Sequence, residues 1–251
     1  MKLARLNETL HKRERVCLTE YNGKKCVLRE YYTKDIANHH VSICKELEKF
    51  GFLPRILHKE GRLVYFEFIS GRDCERGDAL RVASRVGEIC AHINQLRKRG
   101  ENKQEKLIYY AVKRLREKDF LNEELVKRLI NKYNLLERKL KPKIAMDLND
   151  VHPGNFRLNN GKVYLIDIEG IYPMYKGRAI GKAFVRWFRT KEQREKFREG
   201  YEHVASMNFA TDEYLDFMYL NFLVWRLNGS LKIGKKIDEK DKEYLIRLIK
   251  K

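Results

Sequence analysis

The stretch from Asp150 to Glu169, DVHPGNFRLNNGKVYLIDIE, constrains this chain more than any other. Its apolar run Val163-Tyr164-Leu165-Ile166 is strand-like, and the Asn159-Asn160-Gly161 ahead of it is strong turn chemistry. The segment therefore reads as loop, strand, turn and strand. Asp150 opens the loop, Asn155 follows five residues later, and Asp167 comes twelve residues after that, at the end of the second strand. Such a hairpin presents two carboxylates and one amide to a single cavity. An acid beside an attacking hydroxyl, with an amide and a second acid to hold Mg²⁺ on phosphates, is the set that phosphoryl transfer requires. Singly, Asp150 and Asn155 would be ordinary turn formers and Asp167 a strand-end cap; the spacing of the set carries the reading.

The same residues resemble the catalytic core of the protein-kinase-like fold, in its aminoglycoside and choline phosphotransferase branch. There the loop commonly reads H-G-D-L-H-P-G-N and a later strand ends I-D-F-E. Asp150, His152, Pro153, Gly154 and Asn155 match position by position, and Ile166-Asp167-Ile168-Glu169 matches the second block with Ile for Phe. Leu148 and Asn149 stand where the branch has His and Gly. Met146-Asp147-Leu148 offers a second alignment to G-D-L, which leaves Asp147 beside Asp150 as the catalytic acid, with the five-residue spacing favouring Asp150. The resemblance implies an α+β, bilobal fold. A small antiparallel-sheet N-terminal lobe with one helix would span residues 1–71. A mostly helical lobe over 72–251 would carry the catalytic loop 147–155 and the metal-binding strand end 163–169. It further implies ATP as donor, Asp150 as catalytic acid, and Asn155 and Asp167 as Mg²⁺ ligands; Glu169 falls on the last acid of I-D-F-E.

Within 1–71, Leu3 to Leu10, Arg15 to Tyr21 and Lys25 to Tyr32 are strand-like, and Asn22-Gly23 predicts a two-residue hairpin. A helix is expected over Asp35 to Phe50, with Ile36, Ile43, Leu47 and Phe50 on its apolar face. No glycine precedes Gly23, and the first turn reads His11-Lys12-Arg13-Glu14-Arg15, whereas a kinase-like lobe covers phosphates with glycine-rich backbone. By resemblance, Arg29 in Val27-Leu28-Arg29-Glu30 is the cation that reaches the α and β phosphates. Glu46, seventeen residues on, is the helix acid that pairs with it. Phe66 to Gly71 is similar to the lobe-connecting hinge, typically M-E-W-L-P-G, so Glu67 to Ile69 would meet adenine through their main chain. Gly71 to Gly77 reads as a linker.

The remainder reads as helices near 82–96, 104–118, 122–140, 178–189, 191–206 and 211–228. In the last, Tyr214, Phe217, Met218, Asn221, Phe222 and Trp225 form a stripe that is either core or the wall of an acceptor pocket. Asp238 to Lys251 is a basic amphipathic helix with Tyr244, Leu245, Leu248 and Ile249 on one side, expected to dock on the helical lobe or to rest on an anionic membrane. No A-P-E motif or long activation segment follows Asp167, which favours a small-molecule acceptor over a regulated protein kinase.

Composition narrows the partners. Five cysteines without C-x-x-C spacing point to reduced thiols, no zinc and a cytoplasmic protein, at most peripheral at the inner membrane face. No apolar run approaches the roughly eighteen residues of a span, and Met1 to Arg5 lacks the apolar stretch of a secretory signal. The net charge of +19 exceeds what a nucleotide needs. It points to an anionic acceptor, such as an acidic or lipid-linked saccharide, and away from an aminoglycoside. Two rival readings are a RIO-like serine/threonine protein kinase and a catalytically silent kinase-fold protein that binds RNA or an anionic membrane surface.

Overall fold

A computed structural model describes residues 15–98 and 104–251. The expected strand Leu3 to Leu10 and the turn residues His11 to Glu14 lie outside them. In chain order the strands are β1 (Arg15–Tyr21), β2 (Lys24–Glu30), β3 (Ile56–Glu60), β4 (Leu63–Glu67), β5 (Arg72–Asp73), β6 (Ile144–Leu148), β7 (Phe156–Asn159), β8 (Lys162–Leu165) and β9 (Ile171–Tyr175). The α-helices are α1 (Lys34–Leu47), α2 (Ala79–Asn94), α3 (Gln104–Glu117), α4 (Glu123–Leu140), α5 (Arg178–Arg186), α6 (Lys191–Val204), α7 (Asp212–Lys232) and α8 (Glu239–Lys250). The chain divides into two compact units that are not continuous in sequence: Met1–Asp78 with Pro153–Glu169, and Ala79–His152 with Gly170–Lys251.

The first unit carries two antiparallel sheets, of order β1-β2-β4-β3 and β5-β7-β8. Of the three two-residue hairpins among its described residues, β3–β4 turns on Gly61-Arg62 and the other two on Asn-Gly. Asn22 and Gly23 have φ of 50° and 72°, and Asn160 and Gly161 have 47° and 79°. Two consecutive positive φ values define the type I′ turn, whose twist matches the flanking strands. α1 starts on Thr33, whose hydroxyl accepts the Ile36 N–H at 3.2 Å. Its inward face is Ala37, His40, Val41, Ile43, Cys44 and Leu47, while Ile36 and Phe50 stay half-exposed. The polar stretch after Gly71 is not a loose linker. Arg72 and Asp73 pair with Leu158 and Arg157, and the Arg72 guanidinium grips Asp78 through two bonds of 2.7 and 2.6 Å.

The second unit is mostly helical, with one strand pair that the sequence does not announce. β6 and β9 pair antiparallel from Ile144↔Tyr175 to Leu148↔Ile171. The two five-residue runs are separated by 22 residues with no tight turn joining them, and the second is interrupted by Pro173, so neither is named as a strand by its local sequence. α7 buries residues around most of its circumference, from Tyr214 through Phe217, Met218 and Asn221 to Leu227, as expected of a helix at the centre of a bundle. α8 buries Leu245, Leu248 and Ile249 and packs against α4 and α7, where Lys132 Nζ donates to the Leu248 carbonyl at 2.6 Å. Its apolar face is thus used within the protein. Among the described residues no helix is long and apolar enough to cross a membrane.

Candidate active site

In the first unit, β2 is a central strand and Arg29 is buried there, 9 % exposed. Its Nη1 bonds the Glu169 carboxylate and lies 3.6 Å from Asp167 Oδ1, and its Nη2 donates to the Ile166 carbonyl at 3.2 Å. These contacts bring Glu169 and Asp167 to the guanidinium. α1 turns Cys44 into the same cavity wall as Arg29. Burial pushes the Cys44 thiol up to about 12, so it is a wall of the cavity and not a nucleophile.

The β7–β8 hairpin brings Asn155 and Asp167 to one end. Its register runs from Asn159↔Lys162 to Phe156↔Leu165. One step further the Ile166 N–H donates to the Asn155 carbonyl at 2.9 Å, so Asp167 follows directly on the residue paired with Asn155. Asp167 is about a third exposed and accepts the Glu169 N–H at 3.2 Å. An amide oxygen and a carboxylate are hard oxygen donors that suit Mg²⁺. Among the described residues no group of three or more acid, histidine or cysteine side chains could hold a metal ion alone. The pair therefore fits a cation whose remaining ligands come from phosphate and water.

A cavity of about 190 Å³ lies in this unit, walled by Val16, Val27, Leu53, Phe66, Ile166 and Ile168, with Arg29 also in its lining and residues Glu67 to Ile69 along it. The Glu67 carboxylate is taken by Arg55, at 3.0 Å from Nε and 3.3 Å from Nη2, and this bond holds its carboxyl below the usual range. The Glu67 N–H is also used, donating to the Arg55 carbonyl at 2.8 Å. Past Glu67 the chain leaves the strand. The Ile69 carbonyl accepts from Arg157 at 3.1 Å, while among the described residues the Ile69 N–H donates to no protein acceptor. An apolar slot with an unused backbone donor at its edge can take a flat heterocycle.

The second unit separates the two acids that the sequence left as alternatives. Asp147 lies within β6 and is 1 % exposed. Its Oδ2 accepts the Gly177 N–H at 2.7 Å and its Oδ1 the Leu148 N–H at 2.8 Å, so it caps the start of α5. Burial pushes its carboxyl up to about 6. Asp150 stands just past the strand end, its side chain 42 % exposed. Lys182 from α5 bonds its carboxylate, and His152 Nε2 lies 3.3 Å from its other oxygen. Burial works to raise the Asp150 carboxyl, but the His152 hydrogen bond and the Lys182 ammonium together hold it well below the usual carboxylate range. Asp147 is committed to the backbone, and Asp150 is the ionised acid that a substrate can reach.

Sequence reasoning missed Lys182 and gave Glu169 no contact with Arg29. Lys182 does sit in a readable row, Arg178, Lys182 and Arg186, four residues apart on α5. In a chain with 54 Lys and Arg such a row carries no information until the fold shows what it faces.

No protein-family model matches the chain, and no curated protein matches it by sequence. Solved structures do. Choline kinase LicA from Streptococcus pneumoniae superposes with a TM-score of 0.69 at 15% identity, covering 100% of this chain and 92% of that one. Macrolide 2'-phosphotransferase MphH from Brachybacterium faecium gives 0.64 at 11% identity, covering 96% and 90%. Amicoumacin kinase hAmiN, solved with AMP-PNP, Ca²⁺ and Ami, gives 0.64 at 13% identity, covering 99% and 86%. At these identities the likeness is one of fold.

Proposed function

We propose that this chain, whose fold is the protein-kinase-like one shared by choline kinases and aminoglycoside and macrolide phosphotransferases, is an ATP-dependent phosphotransferase acting on a hydroxyl of a small molecule. The observation that carries the reading is the β7–β8 hairpin, which sets Asn155 beside Ile166-Asp167 and Asp167 beside Arg29. Two oxygen donors next to a buried guanidinium suit a polyphosphate and its counter-cation. The apolar cavity with the Ile69 N–H along it supports a purine there. The complex of hAmiN with AMP-PNP and Ca²⁺ supports a nucleotide with a divalent cation in this fold.

In the proposed reaction the acceptor oxygen forms a bond to the γ-phosphorus. The bond from that phosphorus to the bridging oxygen breaks, and its electron pair leaves with ADP. The hydroxyl proton passes to the Asp150 carboxylate. Lys182 and His152 keep that carboxylate ionised and aimed, so it can orient the hydroxyl before accepting its proton. Arg29, fixed by Glu169, braces the α and β phosphates. Mg²⁺ held by Asn155 and Asp167 would supply neutralisation of phosphate charge. For the acceptor we favour an anion, an acidic or lipid-linked saccharide, because the net charge of +19 repels a cationic one.

Calorimetric titration with Mg²⁺–ATP tests the reading on wild type and Asp167→Asn. The expected result is binding that requires Mg²⁺ and weakens at least tenfold in the variant. A wild type that binds no nucleotide removes the proposal, and salt-sensitive RNA binding in that case points to a silent nucleic-acid-binding chain. Label transferred to protein, and not to small hydroxyl compounds, points instead to a RIO-like kinase.

A further inference from the structure

The cations of α5 do not share one fate. Arg178, Lys182 and Arg186 lie at i, i+4 and i+8, on one face of the helix. That face meets aromatic side chains of α7: Arg178 lies 5.7 Å from the Trp225 ring centre, and Lys182 and Arg186 lie 6.0 and 5.9 Å from that of Phe222. Lys182 is bonded to Asp150. Arg186 shares the buried Asp241 with Arg226. Arg178 is the most deeply buried of the three, 7 % exposed, and among the described residues it makes no hydrogen bond and no ion pair. Asp147 is within its electrostatic reach, but the Asp147 oxygens are occupied by backbone amides.

A guanidinium only 7 % exposed, with no hydrogen bond inside the protein among the described residues, has lost most of its hydration and is open to an acceptor arriving from the solvent side. A second donor stands with it. The indole Nε1 of Trp225 is buried and has no partner either. Tyr172, exposed on β9, lies within electrostatic reach of both Arg178 and Asp150 and gives the spot a side toward solvent. The next residue along the row is the lysine that holds Asp150, one turn or about 5–6 Å away between Cβ atoms.

We propose that Arg178 and Trp225 Nε1 receive a carboxylate or phosphate of the acceptor, which sets a hydroxyl a few bonds away on Asp150. The proposal rests on the phosphotransferase reading for the identity of the ligand as acceptor; the anion site itself does not. It gives this chain an acceptor of opposite charge to choline, the substrate named for LicA.

The chain has two tryptophans, and Trp225 lies against Arg178, so its fluorescence reports the site directly. Full-length protein with Trp187→Phe is titrated with inorganic phosphate, acetate and choline in turn, with and without saturating Mg²⁺–ADP. A saturable change with phosphate or acetate and none with choline is expected, weakened at least tenfold by Arg178→Met and severalfold by Arg178→Lys, which keeps the charge but loses the fork. A response to phosphate alone assigns a phosphorylated acceptor, and one to acetate alone a carboxylated acceptor. In the background that keeps Trp187, Trp225→Phe removes one donor and little volume, and calorimetry should show severalfold weaker anion binding; it remains readable if the arginine variants fail to fold. No saturable anion response, a response undiminished by Arg178→Met, or preference for choline overturns the proposal. Absence of Mg²⁺–ADP binding with the anion response intact overturns the phosphotransferase reading alone.

Discussion

Arg29 and Arg178 are almost equally buried, 9 % and 7 % exposed, one on a central strand and one at the first turn of a helix. Arg29 is bonded to Glu169, close to Asp167 and to the Ile166 carbonyl. Arg178 has an aromatic face and no acceptor among the described residues. Burial costs a guanidinium its hydration in either place; only Arg29 recovers that cost inside the protein. The contrast separates an arginine whose position the fold fixes from one that the fold leaves ready for a ligand.

Removing each arginine in turn should produce opposite results. Arg29→Met strands two acids, and we expect Mg²⁺–ATP affinity to fall about a hundredfold and stability by about 2 kcal/mol in urea denaturation. The next effect concerns the carboxylate nearest in charge to Arg178. Burial lifts the Asp147 carboxyl from the usual 3.8 to about 6 in the folded state. The folded state therefore binds the extra proton between these values. Its contribution to stability is complete below about pH 4 and is lost as pH rises through about 6, an effect on the order of 3 kcal/mol. Thermal melts across pH 4–7 should show that decline, and Asp147→Asn should flatten it. Arg178→Met exchanges an unpartnered cation for an apolar side chain, so stability should hold or rise by about 1 kcal/mol with Mg²⁺–ATP binding unchanged. A loss of several kcal/mol there would mean that Arg178 already has a structural partner. Glu169→Gln should weaken Mg²⁺–ATP binding about tenfold by loosening Arg29, less than removal of the guanidinium itself.

Much of the candidate site was legible because its geometry is local. The Asn160-Gly161 turn and the strands around it are short-range structure, and the pairing of Phe156 with Leu165 follows from them. That hairpin alone brings Asn155 next to Ile166-Asp167. The choice between Asp147 and Asp150 was legible only in part: the five-residue spacing favours Asp150 but says nothing of what Asp147 does. Both are acids near the end of one strand, and what divides them is the Gly177 amide, 30 residues further along, which claims Asp147. Arg72-Asp73 read as linker for the same reason: their partners, Leu158 and Arg157, come from a distant part of the chain.

The sequence by itself determined the turns, the helical periods, the spacing of acid and amide, and the excess of positive charge. These depend on backbone preferences and on residues within one or two turns of each other. Tertiary structure alone decided which acid holds Arg29, a residue 140 positions away, and which of three cations on α5 keeps its donors unused. Pairing and desolvation of charge depend on what the fold brings within about 4 Å, and in a chain so rich in Lys and Arg no spacing along the sequence encodes that.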